Sequence, residues 1–366
     1  RMTTPDVLPR ATAHIPQIVE LIERLLERGH AYRTPDGSIF FRIASWPAYG
    51  RLARLDVAGL RVGERVESDE YEKDDVRDFA LWKGPKPGEP VWQTSIGPGR
   101  PGWHIECSAM SMAHLGPSLD IHTGGVDLVF PHHEDEIAQS EAATGQPFVG
   151  TWLHCAHLQM GGAKMAKSTG NVARVAELLE SGVSPRALRL ALISVHYRAS
   201  LSYGEDSLRA ASAAIDRLDS LSAALRAYRE DRPDDATLPE ALMRVRDGFD
   251  AGLDDDLNVS AALAALFDGV REINRRIDAR TLSTADAERA LALLTDIDAV
   301  LGLELVPEDA LEPDVAAMVE ARAAARAARD WAESARLRDA LAERGIAIED
   351  TRDGQRWRRL SEVAGA

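Results

Sequence analysis

Between Gly102 and Glu136 the chain reads GWHIECSAMSMAHLGPSLDIHTGGVDLVFPHHEDE, which brings one cysteine, a doubled histidine and a run of acids into one short stretch. Cys107, His132 and Glu136 are of the types that ligate zinc, as thiolate, imidazole and carboxylate. His132 and Glu136 are four residues apart, and Pro131 suits the first position of a helix, so the two side chains share one helical face. Cys107 then has to approach from a separate element, so any fold of this chain must bring two elements side by side here. Three protein donors leave a tetrahedral ion one short, and the fourth comes from substrate, water or a segment outside these residues.

A free cysteine taken alone is more often core than ligand, because free cysteine is among the most buried residue types. The spacing to His132 and Glu136 and the surrounding His104, His122 and His133 turn the balance toward a metal. His154-Cys155-Ala156-His157 imitates a second cluster, but on a strand His154 and His157 point to opposite faces. A satisfied strand end is the better reading there.

The chain has 366 residues and two cysteines, Cys107 and Cys155. That length predicts two to four domains, and so few cysteines predict a reducing, cytoplasmic setting rather than a disulfide framework. No stretch reaches the roughly 18 uninterrupted apolar residues of a membrane span, and no signal-peptide pattern opens the chain. A monomer without membrane contact is expected. The formal charge of −16 argues against indiscriminate polyanion binding, although a local basic patch can still dock nucleic acid. The first residue, Arg1, is not an initiator methionine, which suggests a fragment or a processed product.

Residues 14 to 29 place Ile15, Ile18, Val19, Ile22, Leu25 and Leu26 at helical spacing before Gly29. AYRTPDGSIFFRI predicts a hairpin turning at Pro35-Asp36-Gly37. Residues 50 to 78 read as a loop-rich insertion, DFALWK as a compact apolar segment, and the Pro/Gly-rich run after it as tight turns. A helix is expected from Trp103 to about Leu115, then a strand, a Gly-rich turn and a short apolar run, then a helix from Pro131 to Gly145. Residues 151 to 160 predict a strand, followed by the loop GGAKMAKSTGN. From Ala173 the pattern is helical: AELLESG, a helix SPRALRLALISVHYRASL opened by Ser184-Pro185, residues 205 to 228, then Glu240 to Gly252 and Ser260 to Ala279 around the turn DDDLN. Together these predict an antiparallel bundle. Beyond Pro307 the chain is Ala- and Arg-rich and ends in a small hairpin.

Lys164 and Lys167 lie in a Gly-flanked loop that could close over an anion, and a mobile lysine can meet phosphoryl charge. Alone, such a pair is more often solvated surface. Beside the zinc stretch it becomes diagnostic. PGWHIECSAM, DIHTGGVDLVFPHHEDEIAQSEAATG and AKMAKSTGN, in that order, resemble the zinc-binding core and KMSKS loop of the cysteinyl-tRNA synthetases, a family of class I aminoacyl-tRNA synthetases. LPRATAHI, DFALWK, HYRASLSY, DDDLN and GIAIEDT with WRR extend the resemblance over essentially the whole chain.

The resemblance implies an α/β plus all-α architecture: the second half of a class I Rossmann fold with an insertion, a helical bundle, and a small C-terminal anticodon-binding domain. The expected divisions are 1–95, 96–172, 173–305 and 306–366. It implies zinc held by Cys107, His132 and Glu136, a pocket with Trp103 as a wall, His104 and His122 as lining and Asp127 for the substrate ammonium, and ATP with Mg2+ met by Lys167 with Lys164 assisting. L-cysteine would be activated to cysteinyl-adenylate and passed to tRNA(Cys), with Arg356, Arg358 and Arg359 contacting the tRNA. The chain departs from the family pattern at Ala166 of the signature loop, at Thr123, and at Cys155-Ala156 in place of Asn-Gly. Neither the HIGH signature nor a further cysteine ligand occurs ahead of Cys107. The expectation is therefore a chain that begins partway into the insertion, short by about a hundred residues of the first βαβ half. Two other readings remain: a cysteine ligase of mycothiol synthesis, which the long C-terminal region disfavours, and a non-catalytic zinc- and tRNA-binding module.

Overall fold

The computed structural model describes residues 2–55, 75, 77–160, 163–164, 173–306, 313–351 and 354–359. Most of the expected insertion, residues 56–74, lies outside them. The chain forms two compact units, Thr3–Ala156 and His157–Ala366 with Arg1–Met2. Among the described residues no helix is long and apolar enough to cross a membrane.

In the first unit, α1 (Ile15–Glu27) buries Ile15, Ile18, Val19, Leu21, Ile22 and Leu25, the stripe its spacing predicts. The hairpin follows as β1 (Ala31–Arg33) and β2 (Ile39–Phe41), with Ala31 opposite Phe41. Asp36 holds the turn by accepting from the Ser38 N–H and hydroxyl, and Gly37 takes the positive φ of 87° there. DFALWK supplies β3 (Phe79–Lys83), and β4 (Arg100–Pro101) completes an antiparallel sheet in the order β1-β2-β3-β4. Helix α2 (Trp103–Leu115) leaves this sheet directly. A Cβ on the intervening Gly102 would lie 2.0 Å from the Ala80 carbonyl oxygen, so only glycine lets the chain turn so close to β3.

Strand β5 (Leu119–Gly125), helix α3 (Glu134–Thr144) and strand β6 (Val149–Cys155) make a βαβ unit whose strands pair in parallel from Leu119↔Val149 to Gly125↔Cys155. Two expectations are corrected here. The Gly124-Gly125 pair is no turn but the end of β5, because pairing with β6 supplies its ladder. The helix proper starts at Glu134, not Pro131; the preceding Val129–His133 forms a separate π-helical turn with Phe130 outside helical geometry. The α1, α2 and α3 faces close on the sheet through Ile22, Leu25, Phe79, Trp82, Ile105, Ala138 and Ala142.

In the second unit, β7 (Leu158–Met160) pairs antiparallel with β8 (Ala163–Lys164) and parallel with β9 (Leu201–Tyr203). After α4 (Val175–Glu180), α5 (Pro185–Ile193) opens as predicted, with Ser184 capping the Ala187 N–H. It stops well before Leu201, because the Ser260 hydroxyl donates to the Ser194 carbonyl while Tyr197 and Arg198 turn out to bond Asp256. The bundle comprises α6 (Glu205–Ala227), α7 (Leu238–Asp254), α8 (Val259–Asp278) and α9 (Thr284–Leu301), around Leu218, Leu225, Phe249, Leu266 and Ile297. Helix α9 is not among the elements expected from the sequence; Ser283 and Asp286 form a capping box at its start. Helices α10 (Pro313–Ala327) and α11 (Trp331–Glu343) and the hairpin β10 (Ile346–Thr351) and β11 (Gly354–Arg359) end the chain.

Candidate metal centre

Helix α3 is buried from Glu134 to Ala143 and presents three acids in its first turn. Each has its own use. Glu134 accepts from the backbone N–H groups of Gly50 at 2.7 Å and of Leu52 and Ala53 at 3.0 Å. Asp135 accepts from the Tyr49 hydroxyl. These two pin residues 49–53 onto the helix and satisfy charges that would otherwise be costly to bury.

Glu136, fully buried, is the acid turned toward the ligand set. The donor atoms of Cys107, His132 and Glu136 all lie within 4.8 Å of one another, so α2, the turn before α3 and the first turn of α3 bring together the three residues that the spacing selected. His132 Nε2 stands 3.0 Å from Glu136 Oε1, yet Oε1 has no hydrogen bond of acceptable geometry. Two groups this close that do not aim at each other suit a shared third partner. A soft thiolate, an imidazole and a carboxylate with one buried, unbonded oxygen fit zinc.

The surroundings orient these donors. His104 Nδ1 meets His132 Nδ1 at 2.6 Å, and His104 Nε2 lies 3.4 Å from Asp135 Oδ2. The sequence Tyr49, Asp135, His104, His132 thus fixes the ring and leaves Nε2 facing Glu136, as second-layer partners do for metal-bound histidine. His122 Nε2 donates to Glu136 Oε2 at 2.9 Å, and its ring stacks on Trp152 at 4.8 Å. His133 Nδ1 bonds His154 Nε2 at 2.8 Å, so His154 is a satisfied strand end, as read. A Cβ on Gly124 would come 2.7 Å from the His133 ring, which explains glycine there. His122, His133 and Glu136 form a second close group of donors sharing the same carboxylate.

Burial pushes the Cys107 thiol up to about 12, with the Glu136 and Glu106 carboxylates adding to the effect. Burial also raises Glu136, but the hydrogen bond from His122 and the closeness of the His122 and His132 rings outweigh it and hold the carboxylate below its ordinary range. Burial lowers His133 to about 4, and neighbouring histidines add to this against Glu136. A cation at the centre would supply the charge that Cys107 needs to lose its proton.

The remaining expected site residues are placed as follows. Trp103, 60% exposed, lies one turn from Cys107 with its ring 5.3 Å from that of His132. Asp127 is exposed in the 3-10 turn after β5. Lys164 is not on an open loop: its backbone pairs with Gln159 in a hairpin. Lys167 and Ala166 lie outside the described residues. Arg356, Arg358 and Arg359 occupy β11 opposite Glu349, Ala347 and Ile346. Trp357, between these arginines, packs on Val315, Leu341 and Ile346, with the Arg226 guanidinium 5.4 Å from its ring centroid. Sequence reasoning does not reach Tyr49, Glu134, Asp135 and Trp152; the acid run in the first turn of α3 is the signal for two of them.

Three family models match: "tRNA synthetases class I (C) catalytic domain" over residues 1–213, the DALR domain over 248–306, and "Cysteinyl-tRNA ligase anticodon binding domain" over 308–358. Curated relatives called cysteine–tRNA ligase include one from Solibacter usitatus, 45% identical over 98% of this chain and 78% of the relative. Another, from Alkalilimnicola ehrlichii, is 49% identical over 97% and 77%. Among solved structures, the Mycobacterium tuberculosis methionyl-tRNA synthetase in complex with methionyl-adenylate superposes with a TM-score of 0.58 at 17% identity, covering 83% of this chain and 75% of that one. That likeness is one of fold.

Proposed function

The chain belongs to the cysteinyl-tRNA synthetase family of class I aminoacyl-tRNA synthetases, and from that premise we propose that Cys107, His132 and Glu136 are the thiol-selecting zinc site of a cysteine–tRNA ligase. In this reaction the carboxylate of L-cysteine attacks the α-phosphorus of ATP, pyrophosphate leaves, and cysteinyl-adenylate forms. A terminal hydroxyl of tRNA(Cys) then attacks the cysteinyl carbonyl and AMP leaves.

The observation that carries the reading is the convergence of three donors, among them a Glu136 carboxylate with one buried oxygen free of hydrogen bonds. Zinc bound there supplies a soft Lewis acid that prefers a thiolate to the hydroxyl of serine. A hydrophobic pocket could not reject a change of one atom by a comparable factor. The chain's own residues do the rest. His104 and Asp135 hold His132 in orientation, and Trp103 walls the side of the pocket nearest α2. Asp127 offers a carboxylate to the substrate ammonium. Lys167, with Lys164 at the end of its hairpin, meets the phosphates of ATP and its Mg2+ and steadies the departing pyrophosphate.

The anticodon-domain match over residues 308–358 favours tRNA over an amino sugar as the acceptor. Arg356, Arg358 and Arg359 then contribute positive charge to backbone contacts on the terminal hairpin, because Trp357 is occupied by the core. Such binding weakens steeply with salt. The two free cysteines suit a reducing, cytoplasmic setting.

The test compares cysteine and serine as substrates for ATP–pyrophosphate exchange and tRNA charging by the native protein and its Cys107→Ser variant. Cysteine activation should fall by at least a hundredfold in the variant, together with loss of bound zinc. Exchange that survives both the substitution and zinc removal would overturn the assignment.

A further inference from the structure

The two oxygens of Glu136 have different partners. Oε2 accepts a hydrogen bond from His122 Nε2 at 2.9 Å, whereas Oε1 stands 3.0 Å from His132 Nε2 without one. Because an ionised carboxylate only accepts, Nε2 of His122 carries the proton.

We propose that His122 is a positioning residue which occupies Oε2, restricts Glu136 to one-oxygen ligation, and so keeps a coordination position open for the substrate thiol. The inference rests on the zinc-site reading above and goes beyond it by taking His122 out of the pocket lining. A carboxylate can ligate through one oxygen or through both. Cys107, His132 and one oxygen of Glu136 already crowd a small ion, so a second oxygen from Glu136 would compete with an incoming sulfur.

His122 is built to hold this bond. It lies directly opposite Trp152 in the parallel register, with Ile121↔Thr151 and Thr123↔Leu153 on either side, so its backbone is fixed by the ladder. Its ring lies nearly parallel to Trp152, at 21°, and the His133 ring centroid is 4.6 Å away. Glu136 is fully buried on a helix buried from Glu134 to Ala143, so its carboxylate depends on its protein neighbours for hydrogen bonds. The same residues could be read as a second cation site with His133. However, His133 Nδ1 is committed to His154 and His122 Nε2 to Oε2.

The experiment substitutes Co2+ for zinc in the full chain and compares the parent with His122→Leu and His122→Gln, the glutamine keeping an N–H donor near the Nε2 position. Metal stoichiometry, Co2+ affinity, the visible absorption of the cobalt and its thiolate band on titration with cysteine are read together. The parent should bind one ion. The leucine variant should still bind one, with affinity lowered by about 10–100-fold. Its absorption should weaken toward that of a higher-coordinate ion, and half-saturation by cysteine should rise at least tenfold. Glutamine should restore most of both. If the leucine variant does not fold, His122→Asn, whose amide falls short of Glu136, takes its place. Identical spectra and cysteine titrations in parent and leucine variant overturn the proposal, as does a glutamine variant no better than leucine, or two ions in the parent. A parent that binds no cobalt overturns the zinc site itself.

Discussion

Replacing Glu134 by glutamine tests how the ligand helix is held. Its Oε1 accepts one backbone N–H, from Gly50, and its Oε2 accepts two, from Leu52 and Ala53. Glutamine offers one oxygen and one NH2 in the same space, so whichever way the amide turns, at least one of these N–H groups meets another donor. A buried N–H left without an acceptor costs about 1–3 kcal/mol, and each bond that survives loses about 1 kcal/mol on passing from charged to neutral acceptor. With the one or two bonds retained, Glu134→Gln should cost about 3 kcal/mol or more in the stability of the 49–53 segment. That is more than a hundredfold in its opening equilibrium, since 1.4 kcal/mol is tenfold. Native-state hydrogen exchange at the Gly50, Leu52 and Ala53 amides reads this directly, alongside guanidinium unfolding of the whole chain. Acceleration of less than tenfold at all three amides would refute the argument that this acid, although adjacent to the ligands, acts as a clamp.

Two further outcomes are expected. With the Cys107 thiol raised from its ordinary 9 to about 12 by burial, the metal-free protein is favoured below pH 9, and that contribution is lost as pH rises from 9 toward 12, when only the unfolded chain ionises; denaturant titrations at pH 8 and pH 10.5 should show an alkaline loss that Cys107→Ser reduces. Gly102→Ala, whose Cβ would sit 2.0 Å from a carbonyl oxygen, should cost about 3 kcal/mol or more, and a thermal midpoint within a degree of the parent would contradict the packing described.

Features carried by local chemistry could be read directly from the residues. The α1 stripe, the turn at Asp36-Gly37, the Ser184 cap and the span of α2 all follow from spacing and turn or cap preferences over a few residues. The pairing of His132 with Glu136 survived an error in where their helix begins, because the four-residue offset, not the exact first turn, puts them together. What failed was set by distant partners. Gly124-Gly125 carries a turn signal, but β6 recruits it as strand. HYRASL has no helix-breaking residue, and it leaves the helix because Asp256 and Ser260 lie nearby in the fold. Trp357 has the composition of a nucleic-acid stacking residue and the packing of a core one. The roles of Tyr49 and Asp135 require a contact 86 residues apart in sequence. Helix α9 is a different case, since the Ser283–Asp286 capping box that opens it is a local signal.

The complete enclosure of α3 also has a kinetic consequence. Glu136, His132 and His133 are at most 6% exposed, whereas Cys107 is only partly buried and Trp103 stands 60% exposed one turn before it. Exchange of a bound ion with the medium therefore proceeds past α2, not through the buried helix that supplies Glu136. The half-life of zinc against a chelator then reports how often Trp103 and its neighbours move aside, and two variants of equal affinity can differ widely in how long they stay loaded.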